Sequence, residues 1–194
     1  MSASGKVPSR SVAFVDWSNV YLGAKNYFGA RVDPVRLRAL LANGRALTHV
    51  HYFSAADTNN PGQARFHDWL ARRGFIVHTQ ALEERIRRVH CPGCGTLFDP
   101  SCPSCGRVVE LPPHKSKMTD IDLAKHMMIL ADEFDEAVLV SGDKDFLPVI
   151  DWLRRVRNKR VGVYAWKQSF SGLLIGRVDG IEYLDGSLDD IRHV

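Results

Sequence analysis

No apolar run among the 194 residues approaches the roughly 20 that a membrane-spanning helix requires, so no membrane partner is expected. The first ten residues, MSASGKVPSR, lack the apolar centre of a secretory signal. They read as a short disordered lead over 1–10, and a cytoplasmic protein is expected. Cysteine is scarce, with four residues, all between Cys91 and Cys105. The length is too small for two independent domains of typical size, while 45% hydrophobic and 25% charged residues suffice for one globular core. The net charge of +4 favours an anionic partner.

The basic residues are unevenly spread. Arg85, Arg87 and Arg88 form one group, Arg154, Arg155, Arg157, Lys159 and Arg160 a second, and His114, Lys115 and Lys117 precede Asp120. Each group alone could be a solvated face or a phosphate track. Together they point toward nucleic acid.

Short apolar runs alternate with helical patterns. Ser11–Val15 reads as a first strand, Leu47–Ser54 as a second, Phe75–Leu82 as a third, Ala137–Val140 as a fourth and Val161–Trp166 as a fifth, with Ile181–Leu184 as a short edge strand. Helices are expected over Val20–Phe28, from Asp33-Pro34 to Leu41, over Gln63–Arg73, from Thr119 to Ala131, over Phe146–Arg157 and over Phe170–Ile175. In the fourth helix, Ile121, Ala124, Met128 and Ala131 beside Leu123, Met127 and Leu130 predict burial against a sheet, with His126 on the surface. Thr119 and Asp122 resemble a capping box. The acidic stretch Asp185–Asp190 is expected to be peripheral. The alternation predicts an α/β domain over 11–194 with a mostly parallel sheet of order 3-2-1-4-5, interrupted by an insertion over 86–112.

That insertion carries C-P-G-C and C-P-S-C-G, seven residues apart. Two CxxC turns, each with an internal proline and a glycine after the second cysteine, suit four thiolates on one tetrahedral ion, so Cys91, Cys94, Cys102 and Cys105 are expected to hold a structural zinc in a small ribbon. The spacing also admits a disulfide pair or a redox motif. The ribbon is read either as a structural clip or as a nucleic-acid contact through Arg85, Arg87, Arg88 and Arg107.

Carboxylates recur where strands end. Asp16 follows the first strand with Asn19 three residues on, Asp120 lies in the first turn of the fourth helix, and Asp143 and Asp145 follow the fourth strand after Ser141-Gly142. Asp16 could instead cap the helix that follows it, and Asp145 the helix that begins at Phe146. In the expected order the first and fourth strands are neighbours at the switch point, which places Asp16 against Asp143. Such a cluster is most simply explained by a divalent cation, and all-oxygen ligands favour Mg²⁺ or Mn²⁺. Phosphodiester hydrolysis is the chemistry this offers.

The segments VAFVDWSNVYLGAK, KMTDIDLA and VLVSGDKDF resemble the three signature segments of NYN domains, the LabA-like branch of the PIN-type nucleases. The resemblance implies a PIN-like three-layer sandwich and a metal-dependent ribonuclease preferring single-stranded RNA. Asp16, Asp120 and Asp143 would be the metal-site acids, Asp145 a supporting acid, Asn19 an orienting residue and Lys117 a phosphate contact. Asp122 falls where relatives often carry a neutral residue, and the cysteine insertion lies outside the pattern. A homodimer is left open. The alternative reading is a non-catalytic RNA- or protein-binding module with a vestigial acidic site. A phosphatase-like hydrolase is disfavoured, because Asp16-Trp17-Ser18 lacks the second acid of a D-x-D pair.

Overall fold

The computed structural model describes residues 9–57, 60–81, 83–85, 89–109, 114–116 and 118–193. Most of the lead over 1–10, with Asn59, Leu82, Arg87, Arg88, Pro112, Pro113 and Lys117, lies outside them. In chain order the main elements are β1 (Arg10–Asp16), α1 (Trp17–Phe28), α2 (Pro34–Ala42), β2 (Ala46–Ala56), α3 (Pro61–Arg72) and β3 (Ile76–Ala81). The insertion follows, with β4 (Glu83–Arg85), β5 (Val89–His90), β6 (Leu97–Phe98) and β7 (His114–Ser116). Then come α4 (Thr119–Ile129), β8 (Glu136–Val140), α5 (Leu147–Arg155), β9 (Arg160–Ala165), β10 (Gly180–Tyr183) and α6 (Leu188–Ile191).

Six strands form one sheet of order β10-β9-β8-β1-β2-β3, and every neighbouring pair is parallel. Alternation along β1 distributes side chains to two cores. Val12 and Phe14 join Leu139, Val163, and Leu123 and Met127 of α4 on one face, with Ile150 and Leu153 of α5. Ala13 and Val15 join Val138, Tyr52 and Trp166 with Val20, Leu37 and Leu70 of α1, α2 and α3 on the other. The period-two pattern of a strand thus feeds two helical layers, giving a three-layer sandwich.

Local signals explain the helix ends. The Asp33 carboxylate accepts the amides of Val35 and Arg36 ahead of Pro34. Asn60 does the same for Gly62 and Gln63 ahead of α3. Gly29 closes α1 in the left-handed region at φ 61°.

Several expectations are corrected. In the fourth helix Leu123 and Met127 face inward, while Ile121 and Met128 are exposed. Ala124 and Ala131 of the other set still pack against the core, so the exposed positions are the two large side chains alone. Met118, not Thr119, occupies the N-cap, and no side chain caps that helix. Thr119 is instead its first residue, with its hydroxyl buried and unpartnered among the described residues. Residues 170–175 form a 3-10 turn over Gly172–Leu174, because Phe170, Ser171 and Ile175 are extended. The acidic stretch Asp185–Asp190 has no buried residue, as expected, while Leu184 and Ile191 on either side of it are buried and Val32 bridges Arg192.

Of the two readings left open for the second basic group, its contacts favour a solvated face whose charges are largely paired. Arg154 forks onto Asp179 at 2.8 and 3.0 Å, Arg157 pairs with Asp132, Arg160 lies 3.7 Å from Glu136, and Lys159 donates to the Phe134 carbonyl at 2.8 Å. These contacts surround the starts of β8 and β9, at the end of the sheet opposite Asp16 and Asp143. Asp179 also accepts the Val161 amide at 2.8 Å. Partial burial raises its pKa, but the Arg154 hydrogen bonds and the Val161 amide outweigh this and hold it below the ordinary 3.8. A depressed carboxyl contributes stability at neutral pH that is lost as pH falls through the folded value. Asp179→Asn is therefore expected to cost about 1–2 kcal/mol at neutral pH. Urea midpoints of variant and wild type should draw together only as pH falls below the ordinary 3.8 and through the lower folded value.

Candidate functional site

The sheet reverses its direction of growth between β1 and β8, where Val15 pairs with Val140. The residues just beyond, Asp16 and Ser141, therefore emerge side by side. Asp16 is only 5% exposed and Ser141 is fully buried. The Ser141 hydroxyl donates to Asp16 Oδ2 at 3.3 Å and accepts the Asp143 amide at the same distance, so one side chain ties the two strand ends together.

Each of these acids also ends an element. Asp16 is the N-cap of α1 and accepts the Asn19 amide at 3.1 Å. Asp143 caps the 3-10 turn Lys144–Phe146 by accepting the Asp145 amide at 3.0 Å. The expected cap before α5 is thus Asp143 and not Asp145, which is exposed on the turn.

Asp16, Asp120 and Asp143 line one cleft of about 240 Å³, together with Asn19, Tyr27 and Ser169. The first turn of α4 delivers Asp120 to it from the opposite layer to α1. Asp145 is not among the lining residues. The three acids line the cleft from separate elements. Carboxylates from three elements, with an amide and hydroxyls beside them, form an all-oxygen donor set suited to a hard divalent cation. Asn19 Oδ1 accepts the Ser169 hydroxyl at 3.4 Å, which orients its amide along the cleft wall. Gly142 lets that wall close. A Cβ there would lie 2.6 Å from the Ser169 carbonyl oxygen, and the Gly142 carbonyl accepts the Ser171 amide at 2.9 Å.

The insertion is rooted on β4 and β7, paired antiparallel with Glu84 opposite Lys115. Arg85 ends β4; Arg87, Arg88 and Lys117 lie outside the described residues. The two cysteine turns repeat one design. The Cys91 amide donates to the Thr96 carbonyl and the Gly95 amide to the Cys91 carbonyl, and Cys102 repeats both bonds with Arg107 and Gly106. Gly95 and Gly106 have φ of 73° and 70°, a backbone that side chains rarely adopt. Hydrogen bonds from Thr96 and then Cys91 lower the Cys94 pKa, and those from Ser104 and Cys105 lower that of Cys102. Each pair is drawn together, but the four thiols are not gathered at one point. Leu97, Phe98 and Val108 remain exposed, so this segment has little apolar core of its own.

A second polar cluster escaped sequence reasoning. His78 of β3 with Asp122 and His126 of α4 present ligand atoms within 4.8 Å of one another. His126 is half-buried, contrary to the expected surface position, because it packs against Phe53 and His78. The Asp122 and His126 pair at i,i+4 was the one local signal; His78 is brought in by the fold.

Residues 10–185 match the NYN domain family, and the chain belongs to that family. It is 28% identical over 148 residues to the low amplitude and bright protein LabA of Synechococcus elongatus, covering 76% of this chain and 69% of that protein. A crystal structure of a protein of unknown function from Vibrio parahaemolyticus shares the fold, with a TM-score of 0.70 at 22% identity over the whole of both chains.

Proposed function

We propose that the protein is a Mg²⁺- or Mn²⁺-dependent endoribonuclease acting on single-stranded RNA. The observation that carries this reading is the convergence of Asp16, Asp120 and Asp143 on one cleft at the switch point of the sheet. The three carboxylates would hold the cation. When bound, such a cation lowers the pKa of water and neutralises charge on a phosphoryl oxygen. Asn19, held by Ser169, orients the scissile phosphate by hydrogen bonding. Tyr27, exposed where it lines the cleft, offers a face on which an unpaired base can stack, an interaction of about 1–3 kcal/mol. Asp145 supports the site from the adjoining turn, and Lys117 with Arg85, Arg87 and Arg88 supplies phosphate contacts along the strand. NYN membership supports a nuclease-type hydrolase.

Cleavage of labelled single-stranded RNA with Mg²⁺ or Mn²⁺ tests the proposal. Asp143→Asn should abolish most of the activity, and undiminished cleavage by that variant would sink the assignment. RNA binding that persists in EDTA, without cleavage under any divalent metal, would favour the binding-module reading.

The cysteine turns are assigned to one structural zinc. The hydrogen bonds that lower the pKa of Cys94 and Cys102 favour the thiolates that zinc requires. Cys94→Ser is expected to lower zinc content by about one ion per chain and to destabilise the insertion. Metal analysis of freshly purified protein checks this, and wild type without zinc would refute it.

A further inference from the structure

The cluster on the far edge of the sheet is the part of the molecule that the nuclease reading leaves unused. His51 and His78 sit on neighbouring strands, β2 and β3, with their rings stacked 5.2 Å apart, and α4 lays His126 4.1 Å from the His78 ring. Asp122, one turn before His126, is buried. Its carboxylate receives Lys125 Nζ at 2.6 Å and a hydrogen bond from Gln80. Three histidines and a carboxylate packed between a sheet and a helix are an expensive choice for a core position that aliphatic side chains could fill.

We propose that His78, Asp122 and His126 form a binding site for a single transition-metal cation of the zinc class. Two imidazoles and one carboxylate are a donor set that selects zinc over Mg²⁺. A tetrahedral ion with bonds of about 2.0–2.1 Å holds its ligands about 3.4 Å apart. The ligand atoms of the three residues lie within 4.8 Å of one another, so binding requires them to close by about 1 Å or more.

The surroundings have the form of a ligand-orienting shell. His126 Nδ1 lies 2.8 Å from the Asp122 carbonyl oxygen and donates to it, which fixes the neutral tautomer and leaves Nε2 to ligate. His78 Nε2 lies 3.0 Å from His51 Nδ1, so the outer histidine can hold the ring while His78 Nδ1 turns to the ion. The Lys125 ammonium, more than half exposed, is free to leave Asp122 when a cation arrives. Bound there, the ion would pin the first two turns of α4 to β3. Asp120, two residues before Asp122, belongs to the same turn.

The test uses the full chain, dialysed against micromolar zinc and then freed of excess, with zinc counted per chain. Asp122→Asn and His126→Gln should each bind about one ion fewer than wild type. A Cys94→Ser background should show the same decrement, which separates this site from the cysteine turns. An unchanged count in both folded variants would overturn the proposal. Should either variant fail to fold by circular dichroism, zinc titration of wild type followed by imidazole NMR decides. Shifts of His78 and His126 without a shift of His193 support the site, and unmoved His78 and His126 signals refute it.

Discussion

Asp16→Asn is expected to retain the fold and lose at least about a hundredfold in RNA cleavage, the equivalent of roughly 3 kcal/mol in the transition state. The two halves of that outcome have separate causes. Asp16 caps α1 through the Asn19 amide and takes a hydrogen bond from Ser141. Asparagine caps a helix about as well as aspartate: its Oδ1 can keep the Asn19 amide, while the Nδ2 that replaces the second oxygen must donate to the Ser141 hydroxyl instead of accepting from it. The stability change should therefore stay within about 1 kcal/mol. The substitution removes the negative charge, which is the property that holds a divalent cation. Asp16→Ala would confound the two, because loss of the cap alone costs about 1 kcal/mol. Cleavage rates and urea midpoints measured on the same preparations separate them. An Asp16→Asn protein that cleaves as fast as wild type would remove the carboxylate cluster from the mechanism, whatever its stability.

The same dual role explains what could be read from sequence. Asp16, Asp120 and Asp143 are visible because each stands at an element boundary, where a strand or helix pattern breaks into an acid. Their convergence depends on the pairing of strands 125 residues apart, and the register of Val15 with Val140 is the fact that joins them. Ser141 is the missed partner. A buried serine after a strand looks like a turn residue in sequence, and only the fold shows it bridging two acids. The inward face of α4 was ambiguous for a related reason: Ile121 and Leu123 both lie on apolar stripes, and which large side chain meets the sheet is a tertiary decision. The basic group at Arg154–Arg160 misleads because acids far away in sequence, Asp132, Glu136 and Asp179, neutralise it. Composition counts charges without saying which are already paired. The histidine cluster is the extreme case, with one residue from a strand and two from a helix some 45 positions later.

Gly23→Ala is expected to be among the most damaging single-methyl changes in the protein. Trp166, immediately after β9, is fully buried and donates its indole N–H to the Val20 carbonyl at 3.0 Å. Its ring lies directly on Gly23. A Cβ at that position would fall 2.0 Å from Trp166 Cδ1 and 2.5 Å from Nε1, so the indole must move or the helix must lift. Neither is cheap in a packed core, and the strain should cost roughly 1–3 kcal/mol or more. Displacing the indole also leaves its N–H without the Val20 carbonyl. The consequence reaches the cleft, because α1 carries Asn19 and begins at Asp16. Trp166→Ala alone should cost about 3–5 kcal/mol through the cavity it leaves. The Gly23→Ala, Trp166→Ala double variant is the sharper measurement. With the indole gone, the added methyl meets open space and partly fills the cavity, so the double variant should be no less stable than Trp166→Ala. Additive losses in urea midpoint would show that Gly23 matters for some reason other than this contact, whereas a double-mutant cycle far from additivity would identify the indole–glycine contact as the joint that seats α1 on the sheet.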